Sequence, residues 1–353
     1  MSVDEIARHY NNVQNKDLNE RTASRIFFQR NFNNWMKSML IQEATSLCMQ
    51  NQSTGMFVIL DICCGKGGDL LKWHKAEVDE IVLVDIAAES VKQCETRYIE
   101  MRNRPQNHAQ FGAHFITMDC TEENLFDKLP RDTMLFDIVS CQFALHYAFR
   151  SEKALRQMLY NISAGLRKGG YFIGTLPDAE RIVHLLRKTT DGKFRNDVLS
   201  IEYIDKTSNW STLQPPLFGA KIYFSLDEQV NCPEFLAYFP LLEEVCKDFD
   251  LELVSCKNFS DAIQSYDKND QRNLMTRMKA LEEYPFEEDR LNHMRETLSG
   301  ARKFSSEYAH VERKRHEMAS SGDRRNNNGC LGTLSKSEWE VVAIYQTFIF
   351  RKI

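Results

Sequence analysis

The spacing of hydrophobic positions changes along this chain, and each change marks an element. Residues 1–23 are polar and read as a helical segment. Over 25–50, Ile26, Phe27, Phe32, Trp35, Met39 and Leu40 recur at roughly helical spacing and predict a further helix. Beyond it the period shortens. The runs "FVILDIC" (57–63), "EIVLVD" (80–85), "HFITMD" (114–119), "LFDIVSCQ" (135–142) and "YFIGTL" (171–176) alternate with helical patterns over 68–76, 88–101 and 151–166. This β-α-β-α order predicts an α/β fold with a mostly parallel sheet and helices on both faces. Lys168-Gly169-Gly170 reads as the C-cap of the last of these helices.

After Pro177 the alternation stops. Residues 178–233 read as a helix and two strands, "VLSIEYI" and "AKIYFSL", around the turn-rich "SNWSTLQPPLFG". An insertion of this kind commonly carries specificity. "PEFLAYFPLLEEVCKDFD" (233–250) reads as a helix with proline at its start. "LELVSC" and "IYQTFIFRK" read as an antiparallel pair at one sheet edge. Residues 310–329 are basic, then rich in Gly and Asn, and read as a mobile loop. The expected organisation is one domain over 1–353: an N-terminal helical segment (1–50), a core (51–177), an insertion on the substrate side (178–233) and a C-terminal completion of the core (234–353).

Composition narrows the function classes. The 353 residues carry a net charge of −5, which argues against coating nucleic acid by bulk charge. No apolar run approaches the ~20 residues that span a bilayer, and "MSVDEIARHY" lacks the basic start and apolar centre of a signal peptide. The ten cysteines include no C-x-x-C pair, so neither a zinc site nor a disulfide framework is expected, and no metal is assigned.

The densest chemistry lies in "VILDICCGKGGDLLKW" (58–73). Gly65, Gly67 and Gly68 fall between the first core strand and its helix, where ligands sit in open α/β sheets. The dinucleotide fingerprint needs a third glycine three residues after Gly67. That position is Leu70, which weakens a nicotinamide reading. A phosphate P-loop fails because no Gly-Lys-Ser/Thr follows at its spacing. Asp85 closes the second strand, 24 residues after Asp61. A carboxylate there suits two ribose hydroxyls. Asp119 closes the third strand, where it suits an adenine amino group.

This combination resembles the class I S-adenosylmethionine-dependent methyltransferases, a Rossmann-like fold. The segments "RIFFQRNFNNWMKSMLI", "LDICCGKGGDLLKW", "DIAAESVKQC", "SCQFALHY", "GGYFIGTLP", "PEFLAYFPLL" and "LGTLSKSEWE" more specifically resemble the eukaryotic mRNA cap guanine-N7 methyltransferases. The resemblance covers most of residues 5–353 and is weakest at 178–215 and 286–329. It implies methyl transfer to guanine N7 of the GpppN cap at the 5′ end of pre-mRNA, with S-adenosyl-L-homocysteine as product. It further implies a nuclear setting and a capping-machinery or activating protein partner. For the cofactor it implies Lys37, Asp61, Cys63, Gly65, Asp85, Asp119, Gln142 and Tyr147, with Lys37 pairing with the methionine carboxylate. For the cap it implies Asn33, Asn34, Lys66, Lys72, Arg97, His146, Glu234 and Tyr345. Cys63 departs from the family pattern, which usually has glycine there; its Cβ is expected to point away from the cofactor.

Guanine N7 has a lone pair and no proton to lose, so no general base is expected. Alignment by Tyr147, His146 and Glu234 suffices. Each residue also has a plainer reading. His146 fits a core histidine, Glu234 a helix-start carboxylate, Tyr345 a core side chain, Lys72 a solvated helix face, and Asn33 and Asn34 caps. A small-molecule methyltransferase and a non-catalytic cap-binding module are the alternative functions.

Overall fold

Successive side chains of the central strands bury against opposite layers in a computed structural model of the protein. It describes residues 8, 11, 18–51, 55–104, 111–131, 133–205, 209–227, 229–266, 269–286, 301–321 and 330–353. The parallel strands are β1 (Val58–Ile62), β2 (Glu80–Asp85), β3 (Gly112–Thr117), β4 (Phe136–Gln142) and β5 (Leu166–Pro177). β10 (Leu251–Asn258) and β13 (Tyr345–Lys352) complete a seven-stranded sheet in the order β10-β13-β5-β4-β1-β2-β3. β13 runs antiparallel to both neighbours, so the expected antiparallel pair sits at one edge with β10 outermost.

The helices begin with α1 (Leu18–Ala23) and the long α2 (Phe27–Asn51). α3 (Leu70–Lys75), α4 (Ala88–Arg102) and α5 (Glu152–Ser163) follow β1, β2 and β4. Leu60, Ile62, Val82, Val84, Val139 and Cys141 face one layer with Leu155, Met158 and Leu159 of α5. Ile59, Ile81, Leu83 and Ile138 face the other with Trp73 of α3, Tyr98 of α4 and Leu40, Ile41 and Ala44 of α2. That is the period of two expected for strands buried on both faces.

The insertion builds a second core. α6 (Ala179–Arg187) precedes a four-stranded antiparallel sheet, β6 (Lys193–Arg195), β7 (Leu199–Tyr203), β8 (Lys221–Leu226) and β9 (Val230–Phe235). Phe32, Trp35, Met36 and Met39 of α2 pack there with Ile201, Ile222 and Phe224. α2 runs ~37 Å at 1.5 Å per residue, long enough to serve both cores.

Four expectations are corrected. The insertion has four strands, not two: β6 is too short to show alternation, and β9 contains Pro233. Proline is tolerated there because β9 pairs with β8 alone and is an edge strand. The helix after it is therefore α7 (Phe239–Lys247), started by Pro240 rather than Pro233. Lys168-Gly169-Gly170 is not a C-cap. α5 ends at Ser163, and Gly169, at φ +85°, lies in β5 where its register against β4 shifts. Finally, 310–321 is not a loop but part of α10 (Ala301–Ser321), which follows α8 (Phe259–Ser265), α9 (Asn269–Arg277) and β11 (Glu282–Tyr284). Its charge run covers the exposed face, while Tyr308 and Val311 bury against Tyr284 and Phe286. The remainder of that expected loop, 322–329, and most of the expected N-terminal helix within 1–17 lie outside the described residues. β12 (Leu331–Thr333) and α11 (Lys336–Val342) lead into β13.

Candidate active site

β1 and β4 are neighbours whose crossovers leave in opposite directions, and a crevice opens there at the carboxyl ends of the strands. It holds a cavity of about 610 Å³, within the usual range for small-ligand sites. Its walls come from α2, the loop after β1, the ends of β2, β4 and β5, and β8 and β9 of the insertion.

The loop after β1 is a series of left-handed residues. Cys63 has φ +59°, Gly65 φ +52° and Gly67 φ +72°. A Cβ on Gly65 would meet nothing within 4 Å, so only its backbone angle calls for glycine. At Gly67 a Cβ would lie 2.6 Å from Cys94 Sγ, so space forbids it as well. Cys63 adopts the same conformation with a side chain, which packs against the core. Its thiol packs on the β-sheet face of Leu60 and Ile62, and a hydrogen bond with Cys141 together with burial raises it well above the ordinary thiol range. Cys64 packs on the opposite layer, where Cys94 and burial raise it likewise. Both residues line the cavity.

Asp85, at the end of β2, accepts from Gly65 N at 2.8 Å (Oδ2) and Ala87 N at 2.9 Å (Oδ1). Burial raises its pKa, and the two amides partly offset that. Each oxygen keeps a lone pair for a hydroxyl. Asp119 stands two residues beyond β3, not at its last position, and is not among the cavity-lining residues. Its Oδ1 accepts from Thr121 N and Oγ1 at 2.9 and 2.6 Å. Its Oδ2 is buried without a hydrogen-bond partner among the described residues.

At the floor, one acid that sequence reasoning missed binds two lysines. Asp69 Oδ2 lies 2.8 Å from Lys37 Nζ, and its Oδ1 lies 2.7 Å from Lys72 Nζ. Burial works against ionising Asp69, but the two ammonium groups outweigh it and hold the carboxyl well below the usual range. Asp61, close by and accepting from Trp73 Nε1 at 3.4 Å, is pushed the other way, up to about 7. Burial is the main cause and the charge of Asp69 the second. Lys72 also donates to Asn34 Oδ1 at 3.2 Å and does not line the cavity. It is neither on a solvated face nor free for a phosphate as it stands. Lys37 does line it, as do Lys66 and Arg97, whose proximity adds to the lowering of Lys66 by burial.

The opposite wall gathers His146, Tyr147, Glu234 and Tyr345. Gln142 ends β4, its amide held by Ser140 Oγ and Thr175 Oγ1, both at 3.1 Å. Phe143 then turns at φ +57° into the 3-10 turn Leu145–Arg150 that carries His146 and Tyr147. Glu234 is on β9 rather than at a helix start, and only 4% exposed. Tyr147 Oη lies 3.4 Å from its Oε1, and His146 Nε2 lies 3.4 Å from its Oε2. Neither ring nitrogen of the buried His146 has a hydrogen-bond partner among the described residues. Tyr345 reaches the same wall from β13, edge-on to Phe143 at 5.0 Å, its hydroxyl raised by burial and then by the charge of Glu234. Of sixteen expected positions, the cavity therefore gathers all but Lys72 and Asp119. Among the residues it adds are Asp69, Phe143 and Arg30, which the sequence reading did not single out.

Comparison with known proteins agrees in kind. The model of the mRNA (guanine-N(7))-methyltransferase domain matches residues 2–353. An mRNA cap guanine-N(7) methyltransferase of Caenorhabditis briggsae is 47% identical over 352 residues, covering 100% of this chain and 87% of that one. Its Drosophila melanogaster counterpart is 38% identical, covering 98% and 76%, and that of Schizosaccharomyces pombe 36% identical, covering 79% and 75%. The chain belongs to the mRNA (guanine-N7)-methyltransferase family of S-adenosylmethionine-dependent enzymes.

Proposed function

We propose that the protein methylates N7 of the terminal guanine of capped RNA by direct in-line transfer, without a general base. The observation that carries this is Glu234: a buried carboxylate on the cavity wall, flanked by Tyr147, His146 and Tyr345. A carboxylate, with two acceptor oxygens, can accept from guanine N1–H and N2–H, a pair of donors that adenine lacks.

The residues fit the cofactor. Asp85 is pre-oriented by two amides to receive ribose hydroxyls. Asp119 stands off the cavity wall, but its buried Oδ2, without a partner among the described residues, suits an amino donor, and Lys37 supplies a cation for a carboxylate. S-Adenosylmethionine, when bound, supplies an electrophilic methyl on its sulfonium.

The chain's own work is alignment and charge. His146 packs its ring on that of Tyr147, 4.3 Å between centroids at 37°, and so steadies the tyrosine that edges the purine. Guanine becomes cationic as N7 is alkylated, and Glu234 stabilises that charge in a site largely withdrawn from water. N7 loses no proton, so no group on this wall has to accept one.

The test incubates the protein with labelled S-adenosylmethionine and GpppN-capped RNA, followed by digestion to nucleosides. Label in 7-methylguanosine is expected. Label absent from it, with the protein folded and binding S-adenosylhomocysteine, rejects the proposal.

A further inference from the structure

Four polar residues of α2, Arg30, Asn33, Asn34 and Lys37, stand at i, i+3, i+4 and i+7, and all four line the cavity. They form one stripe on one helix face. Lys37 marks the cofactor end. Arg30 lies ~10 Å further along the axis, at the other end of the stripe.

The tip of the β8–β9 hairpin lines the same cavity, with Gln229 exposed and Val230 beside it. Val230 precedes the guanine-reading Glu234 by four residues of strand, roughly 13 Å. The cavity therefore continues well past the proposed guanine seat. One helical turn after Arg30, Asn33 is 5% exposed and its Oδ1 has no hydrogen-bond partner among the described residues. A buried, orphaned acceptor on a cavity wall points to a ligand donor, because leaving it unpaired costs free energy.

A cation and an orphan acceptor one helical turn apart match a phosphate and a nearby ribose hydroxyl. We infer that Arg30, Asn33 and Gln229 form a subsite for the RNA strand beyond the cap. Arg30 pairs with the first phosphodiester after the cap dinucleotide. Asn33 accepts from the 2′-hydroxyl of the first transcribed nucleotide, and Gln229 closes the rim. The inference rests on the cap reading above and deepens it, since it names a contact that a free cap dinucleotide cannot make.

The test compares KM for GpppA, for a capped five-nucleotide RNA, and for the same RNA with an uncharged methylphosphonate at the first linkage. For the unaltered protein, the methylphosphonate is expected to raise KM about tenfold over the natural RNA. Arg30→Ala is expected to raise KM for capped RNA about tenfold more than for GpppA, and to lose its sensitivity to the methylphosphonate. It should also flatten the dependence of log KM on log salt by about 0.7, the value for one single-strand phosphate contact. Arg30→Lys should recover part of the loss. An equal rise for GpppA and RNA, or no rise, overturns the subsite. So does an unaltered protein indifferent to the methylphosphonate, an outcome that needs no variant to fold. Failure to methylate any of the three substrates would instead reject the cap reading itself.

Discussion

The carboxylate of Asp85 accepts a hydrogen bond from the amide of Gly65 at 2.8 Å, joining the end of β2 to the glycine turn after β1. One bond fixes both the glycine turn and the acid that we propose reads the cofactor's ribose. Asp85→Ala removes the Gly65 and Ala87 contacts together with the ribose acceptors. At ~1.5–3 kcal/mol per hydrogen bond to a charged group, S-adenosylhomocysteine affinity measured by calorimetry should fall at least 100-fold. A loss under threefold would remove Asp85 from the ribose site.

Glu234→Gln tests the guanine seat separately. The amide presents only one acceptor oxygen and no charge, so kcat/KM for capped RNA should fall about 100-fold or more, the size seen when a pre-oriented transition-state contact is lost. Cofactor affinity should stay within about threefold, because the groups proposed to hold the cofactor are on other elements. Full activity in the variant would show that Glu234 has no role in reading guanine.

Asp61 makes stability depend on pH. Its folded value, about 7, lies above its unfolded value, so the folded state holds this proton more tightly. The contribution is fully present below the unfolded value and is lost as pH rises through about 7. The loss is bounded at about 4 kcal/mol, from ~1.4 kcal/mol per decade. Asp61→Asn, which never ionises, should melt a few degrees above the unaltered protein at pH 8 in the absence of cofactor. That gap should narrow steadily towards pH 5. A gap independent of pH would mean that Asp61 does not titrate in this range.

Cys63 holds a left-handed conformation at φ +59° with its side chain in the core. A β-branched residue there meets strain as well as crowding, so Cys63→Val should cost about 2 kcal/mol or more in urea unfolding. Cys63→Gly relieves ~1 kcal/mol of backbone strain but gives up the buried thiol's packing and costs glycine's extra entropy. It should change stability by less than about 1 kcal/mol. A stabilising Cys63→Val would disprove the left-handed backbone.

Much of the fold was legible because the central strands are short, apolar and separated by helical patterns; "EIVLVD" matches β2 residue for residue. The misreadings share a cause. Pro233 looked like a helix start because sequence does not say which strand lies at a sheet edge. Residues 310–321 looked loose because, among the described residues, the helix buries Tyr308 and Val311 against Tyr284 and Phe286, more than twenty residues earlier in the chain. In the site, Asp85 and the glycines were legible from local spacing, as was the place of Lys37 from family pattern. Asp69 was not, because an acid before a helix ordinarily serves the helix itself.

The sequence by itself determined the alternation of strands and helices, the glycine turn and the acid closing β2, since these depend on residues close together in the chain. Tertiary structure decided which charges meet. It seated Lys37 and Lys72 on one carboxylate, turned Lys72 away from the cavity, and set Glu234 of the insertion against His146 and Tyr147 of the core. Side-chain charge and hydrogen-bonding capacity are written in the sequence, but burial and the distance between partners far apart in the chain are properties of the packed molecule, and these determine what each group does.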